Sequence, residues 1–363
     1  EGPDPTTLLA TPPDPAQDIC GLKPAVRPGS LASSENTTYE VMGMEEKTFT
    51  SGGMERLQAT SDRQNAPYPG GDGKVKLVTT DWLADHISDA NLRIIDVQPD
   101  VHDYIQEHIP GAVYLTEGVL RVSNRGFPTA YSPTTCIQES FRRAGIEADS
   151  PVVVYTGKGA FSGRGEGLGQ TMMAYSLAKY GHNMVYVLDG GIDQWKSEGR
   201  ELSQDFPTVE PSSFTAAVRE EYAIRYDEFR QIKDNDDVVV LDARPAKVYE
   251  GQGPWRMRGH IPGAISLPWR SLMDDANPAL LKPNADLDIA LEEHGVDRSK
   301  TVICSCGTGR EATNEFILLK WFYLYPNVRI YEGSFTEWSS YPDNPTVEGP
   351  EPRERRAEAA FTR

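Results

Sequence analysis

The sequence predicts an α/β protein built from two tandem copies of one domain, each a mostly parallel sheet flanked by helices, behind an irregular N-terminal extension. Three observations carry this prediction. From Val75 onward, short β-branched runs alternate with helical stretches, the pattern of βαβ units. The landmarks of that pattern return in the same order at a near-constant spacing. Residues 1–75, by contrast, are rich in Pro, Gly, Ser and Thr and lack sustained apolar periodicity.

Taken in order, residues 1–75 contain TPPDPAQD, KPAVRPGS and YPGGDG. Such a segment alone has too little apolar surface to offset its ordering entropy. It is expected to lie on its own domains or to dock a protein partner. Residues 76–206 form the first domain: LRIIDV reads as a strand, DVHDYIQEH as a helix, PVVVYT as a strand, GQTMMAYSLAKYG as a helix and MVYVLDG as a strand. The link to the next domain falls near ELSQDFPTVEPSS, where helical pattern yields to Pro and Ser punctuation. Residues 207–346 repeat the order, and 347–363 form a tail. Asp96 of RIIDV returns as Asp242 of VVVLDA, and His108 of HIPGA as His260 of the second HIPGA. Thr156 after PVVVY returns as Cys306 after TVICS, and Trp195 of LDGGIDQW as Trp338 of YEGSFTEW. Four landmarks offset by 143–152 residues mark a tandem duplication.

Composition narrows the function. Thirty-six Lys and Arg against 54 Asp and Glu give a formal charge of −18, which argues against nucleic-acid or anionic-membrane partners. No window approaches the ~18 apolar residues of a membrane span. Four cysteines in 363 residues do not make a disulfide framework. Cys20 and Cys136 show no metal-ligand spacing, and pairing between them stays open for an exported protein. The start EGPDPTTLLATPPDP is similar to that of a mature exported bacterial protein; a periplasmic location is expected, with a cytoplasmic one as the alternative.

The chemistry points to TVICSCGTGREATNEFILLKWF: a strand, a tight loop and a helix. Cys306 falls at the C-terminal strand end, where open α/β folds place ligands. The amides of Gly307, Thr308, Gly309, Arg310 and Glu311 are expected to curl around its sulfur, and a helix N-terminus follows. That setting predicts a stabilised thiolate or persulfide with a lowered pKa, and puts the Arg310 cation beside it. The first copy has a hydroxyl, Thr156, at this position and an enlarged loop, GKGAFSGRGEGLGQ, so it is expected to be inactive. That loop matches neither GxGxxG in register nor a P-loop, and reads as domain packing or as a hold for an anion or partner. Phosphatase or arsenate-reductase chemistry needs an Arg six positions after the Cys; that position is Ala312. Cys304 reads as a small strand residue, with a resolving thiol as the alternative. His108, His260, Asp96 and Asp242 occur in both copies and are read as architectural.

The doubled HIPGA, the LDGG…W and YEGS…W endings and CGTGREA resemble the tandem-domain rhodanese family, over Leu77 to Pro345. The resemblance implies two rhodanese-like domains, the second catalytic, and transfer of a sulfane sulfur through a Cys306 persulfide without a cofactor or metal. It implies a small anionic donor, thiosulfate or 3-mercaptopyruvate, and a thiol or protein acceptor. The alternative is a sulfane-sulfur carrier or assembly component with little turnover. Donor-binding cations are expected from Arg310 and from the stretch before the second HIPGA, with Arg244, Lys247, Arg256 and Arg258; Arg244 and Arg256, each taken alone, read as surface charges. The family's usual Arg before the aromatic Tyr249 is here Val248.

Overall fold

A computed structural model describes residues 74–353. The N-terminal extension with Cys20, and the end of the tail, lie outside the described residues. The first domain carries β1 (Val75–Val78), β2 (Arg93–Asp96), β3 (Val113–Tyr114), a hairpin of β4 (Arg121–Asn124) and β5 (Phe127–Tyr131), then β6 (Val152–Tyr155) and β7 (Val185–Leu188). Its main sheet is parallel in the order β1-β7-β6-β2-β3. The second domain carries β8 (Val238–Asp242), β9 (Ile265–Ser266), β10 (Thr301–Ser305) and β11 (Val328–Ile330), parallel in the order β11-β10-β8-β9. The counterpart of β1 is reduced to a single parallel bridge from Ala223 to Ile330.

The central strands are covered on both faces, which explains their unbroken apolar runs: every residue of Val152–Tyr155 is buried, as are Val302–Ser305. The duplication extends to individual bonds. His108 stacks on Tyr104 and His260 on Tyr249, with centroids 4.1 and 3.6 Å apart. Each buried histidine faces the carbonyl of its tyrosine through Nδ1 and a carbonyl of the following extended segment, Asp205 or Glu351, through Nε2. Both ring nitrogens are thus engaged by main chain, a bracing role. The Trp195 and Trp338 indoles donate to Glu201 and Pro345 carbonyls. Asp96 accepts from Gln98 and Tyr155, while Asp242 pairs with Arg244, so each anchors the loop after its strand.

The two domains share one apolar cluster. At its centre lies the helix Leu168–Lys179, buried at every position because its own sheet covers one side and the second domain the other. Tyr175 meets Phe316 edge-on at 5.1 Å, and the Thr171 and Thr313 hydroxyls are 3.1 Å apart. The helices that follow Thr156 and Cys306 therefore pack on each other, and this brings the loops preceding them together. Among the described residues, no helix is long and apolar enough to cross a membrane.

Candidate active site

Strand β10 delivers Cys306 to the sheet edge, where the chain turns through Gly307–Glu311 into the helix Ala312–Ile317. The Gly309 N–H donates to the Cys306 Sγ at 3.0 Å, and the Thr308 and Ala312 amides also donate to it. Of the amides expected to curl around the sulfur, those of Thr308 and Gly309 reach it, joined by Ala312 at the helix start. Gly309 must be glycine for two reasons: its φ is +84°, and a Cβ there would stand 2.5 Å from the Glu332 carbonyl oxygen. From below, Cys306 N–H donates to Ser334 Oγ at 3.0 Å, and that hydroxyl lies 3.8 Å from Sγ while donating to the Tyr331 carbonyl. The Cys306 and Gly307 carbonyls accept from Phe335 and Thr336, which locks the loop onto the following β11–helix turn.

The electrostatics depart from the sequence expectation. Cys306 is fully buried, and burial pushes its thiol up rather than down. The Glu311 carboxylate, hydrogen-bonded to the thiol, pushes the same way, and the amides of Ala312 and Thr308 only oppose this. The sequence showed the amides but gave no measure of depth. Glu315, behind the loop, is likewise fully buried with both carboxylate oxygens lacking a hydrogen-bond partner, and burial with Asp242 and Glu311 nearby raises it strongly. Cys304 is buried in the apolar core one pleat inside β10.

Arg310 is the second correction. Its side chain turns away to the first domain, where Nε meets Glu117 Oε1 at 2.6 Å and Nη1 meets Glu166 Oε2 at 2.7 Å. Two carboxylates balance one guanidinium, so this cation is not free to face a donor at the sulfur. A cation that the sequence did not single out takes its place. Arg121, at the start of the hairpin, donates from Nη1 to the Thr308 carbonyl at 2.9 Å and to the Thr129 carbonyl at 2.6 Å. A Cβ on Gly309 would lie 3.1 Å from its Nη2.

Arg244 also differs from a surface charge: it is 1% exposed, held by Asp242 at 2.6 Å and by the Gly259 carbonyl at 3.0 Å. Its guanidinium sits 4.3 Å from the Phe335 ring, and a Cβ on Gly307 would meet its Cδ at 3.7 Å. Its Nη1 is buried without a hydrogen-bond partner. Trp255 covers the loop beside it, within 2.7 Å of a Cβ at Gly307, and is fixed by Thr336. Lys247, Arg256 and Arg258 are exposed on the segment leading to and from Trp255.

The first domain's equivalent position differs as expected. Thr156 donates through Oγ1 to the Val97 carbonyl and through N–H to Gln170. The enlarged loop is pinned by the buried Asp103, which accepts from Phe161 and Ser162, and by Asp193, which accepts from Lys158. It carries Glu166 to Arg310, and Gly167 packs so closely on Pro278 that a Cβ would lie 2.2 Å from that carbonyl oxygen. This is interface packing. Among the described residues no group of three His, Cys, Asp or Glu is placed to hold a metal.

The model of the rhodanese-like domain matches twice, over residues 79–198 and 225–341. A Synechococcus elongatus protein provisionally named thiosulfate sulfurtransferase is 34% identical over 275 residues, 73% of this chain and 83% of that protein. The sulfur carrier protein TtuD of Thermus thermophilus is 28% identical over 296 residues, 76% of this chain and 97% of that protein. Among solved structures, SseA of Escherichia coli, described as a 3-mercaptopyruvate sulfotransferase of rhodanese fold, has a TM-score of 0.63 at 28% identity, covering 72% of this chain and 99% of that chain. The chain belongs to the rhodanese family, as two tandem rhodanese domains, and these relatives bear the names of sulfurtransferases and of a sulfur carrier.

Proposed function

We propose that this chain is a sulfurtransferase that carries a sulfane sulfur on Cys306 as a persulfide. The observation that supports it most is the Cys306 loop: one sulfur at a sheet edge with backbone amides converging on it, one at 3.0 Å, and a hydroxyl residue in its place in the duplicate. The cycle is ping-pong. The Cys306 thiolate attacks the outer sulfur of thiosulfate; the S–S bond of the donor breaks and sulfite leaves with the electron pair. With 3-mercaptopyruvate, the transferred sulfur is the thiol sulfur and pyruvate is released after protonation of the carbon. An acceptor thiol then attacks the outer persulfide sulfur and the Cys306 thiolate leaves. The amides of Thr308, Gly309 and Ala312 stabilise the negative charge on the sulfur at each stage.

For the donor, the buried Arg244 with its unpaired Nη1 beside Gly307 is the better-placed cation of the predicted set, with Lys247 and Arg258 as an exposed rim. A carrier with slow turnover is the second reading. It is favoured by the neutralised Arg310 and the acidic Glu311 at the sulfur, both of which discourage a small anion. Steady-state turnover with each donor, for the wild type and for Arg244→Gln, tests the assignment. Turnover that falls in the variant supports the enzyme reading. A stable persulfide with negligible turnover from either donor supports the carrier.

A further inference from the structure

The first domain has Thr156 where the second has Cys306, yet it is not merely a scaffold. Its segment from Glu117 through the β4–β5 hairpin reaches the Cys306 loop at two points. Glu117 takes Arg310, drawing that charge out of the loop. Arg121 enters instead, spanning 187 residues of sequence to reach Thr308. Its placement is tightly determined. The Thr129 carbonyl of the facing strand holds Nη1, Met172 Sδ lies 4.0 Å from Nη2, and the guanidinium stacks 4.4 Å from the centre of the Tyr131 ring. The same ring receives Lys179 Nζ at 4.5 Å, and Lys179 is spent on Glu332 at 2.5 Å. The Arg121 Nη1 protons go to main-chain carbonyls and its Nε is buried without a hydrogen-bond partner; the Glu332 carboxylate, itself held by Lys179 and Tyr175, acts on it only through space.

An arginine bonded to carbonyls keeps its full charge to offer to a neighbour. Arg121 and the sulfur meet at Gly309: Nη2 is 3.1 Å from a Cβ there, and the Gly309 N–H donates to Sγ at 3.0 Å. The negative charge on Cys306 in turn favours the charged form of Arg121. The groups that set the charge here are therefore Glu311, the amides and the Ser334 hydroxyl at the sulfur, and Arg121 from across the interface with Tyr131 and the Glu332 carboxylate beside it.

We propose that Arg121 is a positioning residue for sulfur transfer: from the domain that has Thr156 in place of the active cysteine, it fixes the Thr308–Gly309 segment and supplies the positive charge that offsets negative charge on the Cys306 sulfur. This rests on Cys306 being the sulfur-carrying residue, but its test does not. Peptide-resolved alkylation of Cys306 by iodoacetamide, on the full chain between pH 6 and 9, reads thiolate availability with no donor present. An opposite charge within about 4–6 Å is worth about one unit or more of thiol pKa. With thiolate nucleophilicity falling as pKa falls, with a slope of about 0.5, one to two units give about a three- to tenfold change in rate. Arg121→Gln is expected to slow Cys306 alkylation by that factor at every pH, and Arg121→Lys to restore most of it. Unchanged rates in both variants, or faster alkylation in Arg121→Gln, would overturn the proposal. The second result is what a purely structural brace predicts, since a loosened loop exposes the thiol; a parallel rise at buried Cys304 would mark that loosening. If wild-type Cys306 alkylates as expected yet never takes up sulfur, the functional assignment fails while the Arg121 result stands.

Discussion

Replacing Glu311 by Gln isolates the contribution that most distinguishes this loop from a simple nest of amides. The carboxylate of the half-buried Glu311 is hydrogen-bonded to the fully buried Cys306 thiol, and its Oε2 is buried without a hydrogen-bond partner. Two unit charges about 4 Å apart at an effective dielectric of about 20 repel by about 4 kcal/mol. That is about three pK units as an upper bound, and the nearby Arg121 charge reduces it to about one or two. Gln keeps the shape and can still hydrogen-bond the sulfur. Glu311→Gln is therefore expected to speed Cys306 alkylation about three- to tenfold at neutral pH and to lower the KM for an anionic donor. The assay is the pH–rate profile of alkylation, followed by steady-state kinetics with thiosulfate. Slower alkylation would refute the reasoning and show that Glu311 removes the thiol proton instead of holding it in place.

Other expectations follow from the same geometry. Gly309→Ala puts a side chain at φ +84° and 2.5 Å from the Glu332 carbonyl, so denaturant unfolding should show a loss of about 1–3 kcal/mol together with loss of sulfur transfer; a stable, active variant would contradict the loop geometry. Thr156→Cys should fold but acquire no persulfide in a Cys306→Ser background, read by mass spectrometry, because Gln170 already occupies the Thr156 amide and the following loop is folded onto Asp103. His182 is buried, accepts through Nδ1 from the Met184 N–H and faces the Glu147 carbonyl through Nε2; burial lowers it to about 4 from 6.5. Between those values the unfolded chain binds the proton and the folded chain does not, so this stability is present above pH 6.5 and lost as pH falls towards 4, by up to about 3 kcal/mol. The stability gap between wild type and His182→Asn should narrow over that window, and parallel curves would argue against the linkage.

Much of the fold was legible because it was written twice. Two HIPGA turns and two strand-end positions, Thr156 and Cys306, mark the sheet edges in the sequence itself, and the matched bonds of His108 and His260 show why those residues were kept in both copies. The position of the thiol was legible for the same reason. Its electrostatics were not, because they depend on burial depth and on partners far away in sequence: Glu117 and Glu166 are 193 and 144 residues from Arg310. Arg121 was missed through its hairpin. The signal was available, since RVSN and FPTAY flank Arg125-Gly126, whose φ values of 50° and 85° suit a tight two-residue turn. Only the packing of one helix against its counterpart reveals where that hairpin points. Arg244 is a similar case, since its pairing with Asp242 across two positions hid a buried charge within an unremarkable DAR.

The central claim is that Cys306 carries the transferred sulfur. Mass spectrometry of the full chain after exposure to thiosulfate or 3-mercaptopyruvate, with peptide mapping, tests it most directly. The account predicts a gain of one sulfur mass on the peptide holding Cys306, lost on adding cyanide and absent in Cys306→Ser. A sulfur gain elsewhere, a gain that survives in the serine variant, or no gain with either donor would contradict it.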